Sequence, residues 1–178
     1  MSNDIWVISD THFSHGNICK FTNYDGTPLR PWDNVEDMNE AMIEGWNSVV
    51  KDGDKVYHLG DFSMGFKELP QHVVWRLKGQ KRLVRGNHDM CPTAEYLKHF
   101  EDIYGVRVFH SEKLIFSHIP LHAESIKPGW LNVHGHLHNN IVRLPNKSPD
   151  TRYFNVSVER INYTPIHIDE LVAMAAKL

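Results

Sequence analysis

Cysteine is scarce: the chain holds two in 178 residues, Cys19 and Cys91, far apart and in no Cys-x-x-Cys pair. That argues against a thiolate zinc site, a thioredoxin-type centre and a disulfide framework, and leaves two reduced thiols. Long apolar runs are missing too, since no stretch approaches the ~20 residues that span a bilayer. The N-terminal Met1-Ser2-Asn3-Asp4 carries no basic leader. A cytoplasmic protein with no membrane partner is the expectation. Charge of one sign is also lacking: 19 Lys and Arg against 22 Asp and Glu give a formal net charge of −3. No global basic field draws the chain to nucleic acid, although a local patch is not excluded. There is no repeat or low-complexity tract, and with 41% hydrophobic and 23% charged residues the composition is that of a folded protein. The length predicts a single domain over residues 1–178, with a core that needs no staples.

Histidine is what the chain has in excess, with thirteen copies. Three of them alternate around a glycine in Val133-His134-Gly135-His136-Leu137-His138, and alternation in an extended segment turns His134, His136 and His138 to one side. Imidazoles gathered this way suit a metal, since neutral imidazole is a common nitrogen ligand. A polar loop that happens to be rich in histidine is the bland alternative.

Other apolar runs end in the same kind of corner. Ile5–Ile8 reads as a strand delivering Asp10 and His12. A long loop over residues 13 to 32 carries His15, Asn17 and Arg30, which could touch a substrate or simply be solvated. Asp33 with Glu36 reads as a capping box opening a helix with apolar positions Val35, Met38, Met42, Trp46 and Val49. A strand over Val56–Leu59 ends at Gly60-Asp61. A helix over about Leu69–Lys78, stopped by Gly79, leads to strand Arg82–Val84 and the corner Gly86-Asn87-His88-Asp89. Strands are expected at Val106–Phe109, Leu114–Ser117, Leu131–His134 and Phe154–Val158, partly antiparallel, with a terminal helix over about Asp169–Lys177. Trp6, Trp46 and Trp75 fit core stripes. Strands alternating with helices favour a layered α/β architecture with its site at the strand ends.

The corner residues Asp10, His12, Asp61, Asn87, His118, His136 and His138, with His88 beside Asn87, form a set of oxygens and imidazoles without sulfur. Two cations about 3.5–4 Å apart are one solution to phosphoester hydrolysis, and such a pair needs a bridging carboxylate. The donor mixture suits Mn²⁺ foremost, with Fe, Zn²⁺, Ni²⁺ or Mg²⁺ as alternatives.

The ordered blocks Asp10-Thr11-His12, Gly60-Asp61, Gly86-Asn87-His88-Asp89, His118 and Gly135-His136-Leu137-His138 resemble those of the calcineurin-like metallophosphoesterase family. The resemblance implies a layered α/β sandwich of two mixed sheets flanked by helices, without a cap domain. It implies Asp10, His12 and His138 on a first metal, Asn87, His118 and His136 on a second, and Asp61 between them. His88 would touch the phosphate and protonate the leaving oxygen, with Asp89 orienting it, and a metal-bridging hydroxide would attack. His134 would be a supporting residue, while Arg85 and His15, with Asn87 and His88, are candidates for substrate contact. The implied reaction is hydrolysis of a small phosphoester, with nucleotide-type diesters slightly favoured over monoesters. A non-catalytic protein-binding scaffold of the same fold and a nuclease acting on nucleic acid are the alternatives. Oligomeric state is not legible.

Overall fold

In the computed structural model, which describes residues 3–65 and 67–178, the strands form two mixed sheets. The first has the order β4-β3-β2-β1-β9. In it β1 (Ile5–Ile8), β2 (Lys55–His58), β3 (Gln80–Val84) and β4 (Asp102–Tyr104) run parallel, and β9 (Ile166–His167) joins β1 antiparallel. The second has the order β5-β6-β7-β8. Here β5 (Val106–Phe109) lies antiparallel to β6 (Leu114–Ser117), while β6, β7 (Leu131–His134) and β8 (Tyr153–Asn155) are parallel. The helices are α1 (Val35–Val49), α2 (Gln71–Val74), α3 (Thr93–Tyr96) and α4 (Ile168–Ala175). This is the expected layered α/β arrangement of two mixed sheets, and no cap domain stands over it among the described residues.

Strand alternation builds two cores. Ile8, Val56 and Leu83 face α1, where they pack with Met38, Met42 and Trp46. Their strand neighbours Val7, Tyr57 and Val84 face the other way, onto Leu114, Phe116, Leu131 and Val133 of the second sheet and Leu171 of α4. Because both faces of the central strands are covered, they read as unbroken apolar runs rather than alternating ones. A bridge between Ser9 and Ser157 joins the sheets, so the C-terminal ends of β1, β2, β3, β6 and β7 open onto one region.

Several element boundaries differ from expectation. The cap of α1 is Asn34, one residue past Asp33: its side-chain oxygen accepts from the Asp37 N–H at 2.8 Å. The helix expected over 69–78 is only Gln71–Val74, because α1 side chains claim the backbone beyond it. Trp46 Nε1 donates to the Lys78 carbonyl at 2.9 Å, and Asn47 binds both the Arg76 carbonyl and the Lys78 N–H. Trp75 consequently faces out, 71% exposed, and is not a core residue. Strand β8 ends at Asn155 rather than at Val158, since the Asn155 side chain accepts from the N–H and the hydroxyl of Ser157 and turns the chain. The terminal helix spans Ile168–Ala175 in place of Asp169–Lys177. Strands β4, β9 and helix α3 were not anticipated.

Candidate metal centre

Seven side chains from five strand ends meet in this region. Asp10, His12 and His138 form one cluster and Asp61, His118 and His136 a second, with the donor atoms of each within 4.8 Å of one another. Asn87 joins the second, its Oδ1 lying 2.9 Å from His118 Nε2 and 3.0 Å from His136 Nδ1. Asp61 faces both: its Oδ2 is 3.6 Å from His12 Nε2 and 3.4 Å from His118 Nε2.

The backbone is bent hard to achieve this. Asp10 (φ +56°), His12 (+47°), Asp61 (+56°), His136 (+69°) and His138 (+49°) all lie in the left-handed region, at a cost of about 1 kcal/mol or more each. Cross-corner bonds hold them there. Asp10 N–H donates to the Gly60 carbonyl and His12 N–H to the Asp61 carbonyl, each at 3.0 Å, and His136 N–H donates to Asp10 Oδ2 at 2.8 Å. Gly60 has φ +95°, and a Cβ on it would lie 2.6 Å from His118 Nδ1 and 2.7 Å from Gly86 Cα. A side chain at Gly135 would run into Ser9 and Asp10. The two glycines let the corners close.

Polar atoms left unpaired show what the centre can hold. Asp10 Oδ1 and both ring nitrogens of His12 are buried without a hydrogen-bond partner. His118 Nδ1 sits 2.8 Å from the Leu59 carbonyl and so must donate, which turns Nε2 to the Asn87 and Asp61 oxygens, where it either carries a proton or offers its lone pair to a cation. Lone pairs crowded at these distances need a positive charge among them. Oxygen and imidazole donors in this number fit divalent cations, and no thiolate is near.

Electrostatics agrees. Burial drives the His12 ring down to about 2, opposed by Asp61 and reinforced by Arg30, so it is a neutral imidazole ready to ligate. Burial raises the Asp61 carboxyl, but the hydrogen bond and charge of His118, the His88 N–H and His12 outweigh it and bring it to about 2. His118 is depressed by burial, yet the Asp61 hydrogen bond and the charges of Asp10 and Asp61 lift it to about 9. Without a cation, a proton on His118 balances the carboxylates; a divalent ion would displace it, so uptake should release protons.

The other predicted residues are placed as follows. His88 is half-buried beside the centre: its N–H donates to Asp61 Oδ1 at 2.8 Å, and its ring centroid is 5.4 Å from that of His12. Asp89 does not orient it. The Asp89 carboxylate accepts from the N–H groups of Asp61 (2.9 Å), Phe62 (3.0 Å) and Gly86 (2.8 Å), so it braces the Asp61 corner. Arg85 is likewise occupied, donating to the carbonyls of Asp89 and Cys91 and to Thr93 Oγ1. His15 stands 5.7 Å from the His12 ring and 5.9 Å from Phe21, within reach of a ligand. His134 is fully buried, its Nδ1 2.7 Å from the Gly135 carbonyl.

Arg30 has a different place from the one expected, and Glu159 carries a role that the sequence reading does not assign. Arg30, read as a loop residue, is 1% exposed and donates to Glu159 Oε1 at 2.9 Å, to the Thr11 carbonyl at 2.7 Å and to the Asp10 carbonyl at 2.6 Å. Glu159 also lies 3.0 Å from His138 Nδ1, an arrangement that fixes the ring and turns Nε2 to the cluster. Another polar corner after an apolar run, Asn155-Val156-Ser157-Val158-Glu159, was the available signal. Burial raises the Glu159 carboxyl, but the His138 hydrogen bond and the Arg30 charge outweigh it and hold it below 4.5. Its stabilisation is therefore present above pH 4.5 and lost as pH falls below that value. The metal-free protein should melt at lower temperature on acidification through this range, by about 2–4 °C per kcal/mol lost. Glu159→Gln should flatten that slope in a melting series; an unchanged slope would refute the linkage.

A two-sheet α/β fold whose strand ends gather two oxygen and imidazole clusters defines a metallophosphoesterase. The sequence matches the calcineurin-like phosphoesterase family over residues 4–172, and the chain belongs to it. It is 37% identical over 177 residues to an uncharacterized protein of Methanocaldococcus jannaschii, covering 97% of this chain and 92% of that protein. The gene 66 protein of Mycobacterium phage L5 is 35% identical over 92 residues, which is 50% of this chain and 41% of the phage protein. A solved protein of unknown function from Aquifex aeolicus superposes with a TM-score of 0.69 at 26% identity, over 97% of this chain and 100% of that one.

Proposed function

We propose that the protein is a binuclear metal-dependent hydrolase of phosphate esters, with nucleotide-type diesters favoured over monoesters. Asp10, His12 and His138 would hold one cation, Asn87, His118 and His136 the other, and Asp61 both. The carrying observation is Asp61 Oδ2, within 3.6 Å of the nearest nitrogens of both clusters. Mn²⁺ is the first candidate because the donors are oxygens and imidazoles alone. When bound, the cations would supply a water of lowered pKa and neutralise charge on the phosphoryl oxygens.

The chain's own residues do the rest. Asp89 and the Gly60 corner fix the Asp61 carboxylate, and Glu159 fixes the His138 ring. His88, held by its N–H on Asp61, is free to place its imidazole at the leaving oxygen. Water adds to phosphorus and releases a proton to solvent, the bond to the leaving oxygen breaks, that oxygen takes a proton from the protonated His88 ring, and the neutral ring regains one from solvent. The diester preference is supported by an open cleft of about 970 Å³ beside His136 and His138, room for a second ester arm. The scaffold alternative is disfavoured because every donor position is filled. Among the described residues lining the cleft, Arg160 is the one Lys or Arg, which disfavours a long nucleic acid, whose binding draws on many phosphate contacts.

The test is a panel of bis-p-nitrophenyl phosphate and p-nitrophenyl phosphate with Mn²⁺, Ni²⁺, Zn²⁺ and Mg²⁺, beside metal analysis. Metal-dependent cleavage of the diester is expected, and failure to cleave either ester with any ion overturns the proposal. His88→Ala should keep its metal and lose roughly 10²- to 10⁴-fold in turnover; a wild-type rate would remove His88 from the mechanism.

A further inference from the structure

The cleft beside His136 and His138 has a wall that the hydrolytic reading does not use. Residues 21–29 form a tight hairpin: Leu29 N–H donates to the Phe21 carbonyl at 2.8 Å, Asn23 N–H to the Thr27 carbonyl at 2.8 Å, and Gly26, φ +81°, makes the turn. The Asp25 carboxylate locks the tip by accepting from Thr27 N–H and Oγ1. Its aromatic residues face solvent, with Phe21 48% and Tyr24 101% exposed, and both line the cleft with the two histidines. Two rings left bare on one hydrogen-bonded turn contribute little to folding and form an apolar patch in the wall of the cleft.

The hairpin is tied to the centre at two points. Asn139, next to His138, donates its side-chain N–H to Asn23 Oδ1 at 3.0 Å. Phe21 meets the edge of His15, which in turn stands against His12. The turn and the Phe21 ring are thus tied to the cluster that His12 and His138 share, and a ligand meets a surface already organised, with less ordering left to do on binding. Asn139 and Asn140 line the same cleft and offer amides suited to the edges of a planar heterocycle.

We infer that this wall is a nucleobase subsite: Phe21 and Tyr24 stack the base of a small nucleoside phosphodiester whose phosphate lies at the two clusters. The inference rests on the phosphoesterase reading above and names its substrate class. Aromatic faces stack any base and discriminate little among them. One Lys or Arg, Arg160, among the described lining residues fits one nucleotide unit better than a strand.

Thymidine 5′-(p-nitrophenyl phosphate) and methyl p-nitrophenyl phosphate release the same p-nitrophenolate and differ only in the retained arm. The nucleoside diester should be preferred in kcat/KM by on the order of 10- to 100-fold, mainly through KM. The double variant Phe21→Leu/Tyr24→Leu should collapse that ratio to within about threefold, and Tyr24→Trp should keep it, since stacking needs only an aromatic face. Trp75→Leu, an exposed aromatic outside the cleft, should not change the ratio. A wild-type ratio near one, or a ratio unmoved in the double variant, overturns the subsite. A binding arm separates this failure from failure of the hydrolase reading. By calorimetry AMP should bind the wild type roughly tenfold tighter than ribose 5-phosphate, whether or not any ester is cleaved, and the double variant should lose the difference. Equal affinities would overturn the subsite, as would an oligothymidylate that binds far more tightly than AMP with a steep salt dependence.

Discussion

Asp61→Ala is expected to reduce phosphoester hydrolysis on the order of 10⁴-fold or more, and to empty both cation positions together. The Asp61 carboxylate lies within 3.6 Å of a ring nitrogen from each cluster, so on the proposed reading its removal takes a negative ligand from each. Loss of the cations forfeits several kcal/mol of transition-state stabilisation, at about 1.4 kcal/mol per tenfold in rate. The alanine variant also disturbs the backbone, because Asp61 sits at φ +56°, where alanine is penalised and asparagine tolerated. Asp61→Asn separates the two effects. It keeps an oxygen for the His88 N–H, now 2.8 Å from Oδ1, and keeps the left-handed corner, yet lacks the charge. Metal analysis and turnover of the asparagine variant should fall nearly as far as those of the alanine variant. Two metals per chain retained in either would show that Asp61 does not connect the sites.

That a carboxylate, an amide and histidines meet here was legible because each lies directly after a short apolar strand. Parallel strands bring such ends to one edge whatever their separation in sequence, so Asp10, Asp61, Asn87, His118, His136 and His138 could be grouped before any coordinates. What supports them was not legible. Arg30 lies in a loop rich in proline and glycine and reads as solvated; its partner Glu159 is 129 residues away, and nothing local announces the pairing. Asp89 was misread for the opposite reason, since adjacency to His88 suggested a contact where the turn directs the carboxylate to the Asp61, Phe62 and Gly86 N–H groups instead. Elements failed where tertiary bonds override local pattern, as beyond α2, where Trp46 and Asn47 take the backbone groups a longer helix would use. Strand β9 has two residues, too few to carry a period.

Arg30→Met should be the most destabilising single change considered, at about 3–5 kcal/mol. Methionine fills much of the volume, so the effect is one of charge and hydrogen bonding rather than of a cavity. The Glu159 side chain, 1% exposed, would be left as a buried carboxylate with the His138 ring, 3.0 Å away at Nδ1, as its remaining side-chain partner. The carbonyls of Asp10 and Thr11, which accept from the guanidinium at 2.6 and 2.7 Å, would lose that donor at the corner where the chain is held in the left-handed region. An unpaired buried charge and two deprived acceptors each cost more than the hydrogen bonds contributed while intact. Neutralising the orphaned acid should therefore recover part of the loss: Arg30→Met/Glu159→Gln is expected to be more stable than Arg30→Met alone, with a coupling of about 1–3 kcal/mol in a double-mutant cycle read from urea unfolding. Because Arg30 also backs the Asp10 and Glu159–His138 side of the centre, the single variant should weaken cation uptake there while Asn87, His118 and His136 keep their mutual contacts. A fall in stability below about 1 kcal/mol, or a cycle with no coupling, would show that the guanidinium is a passenger in the core rather than the brace of the first corner.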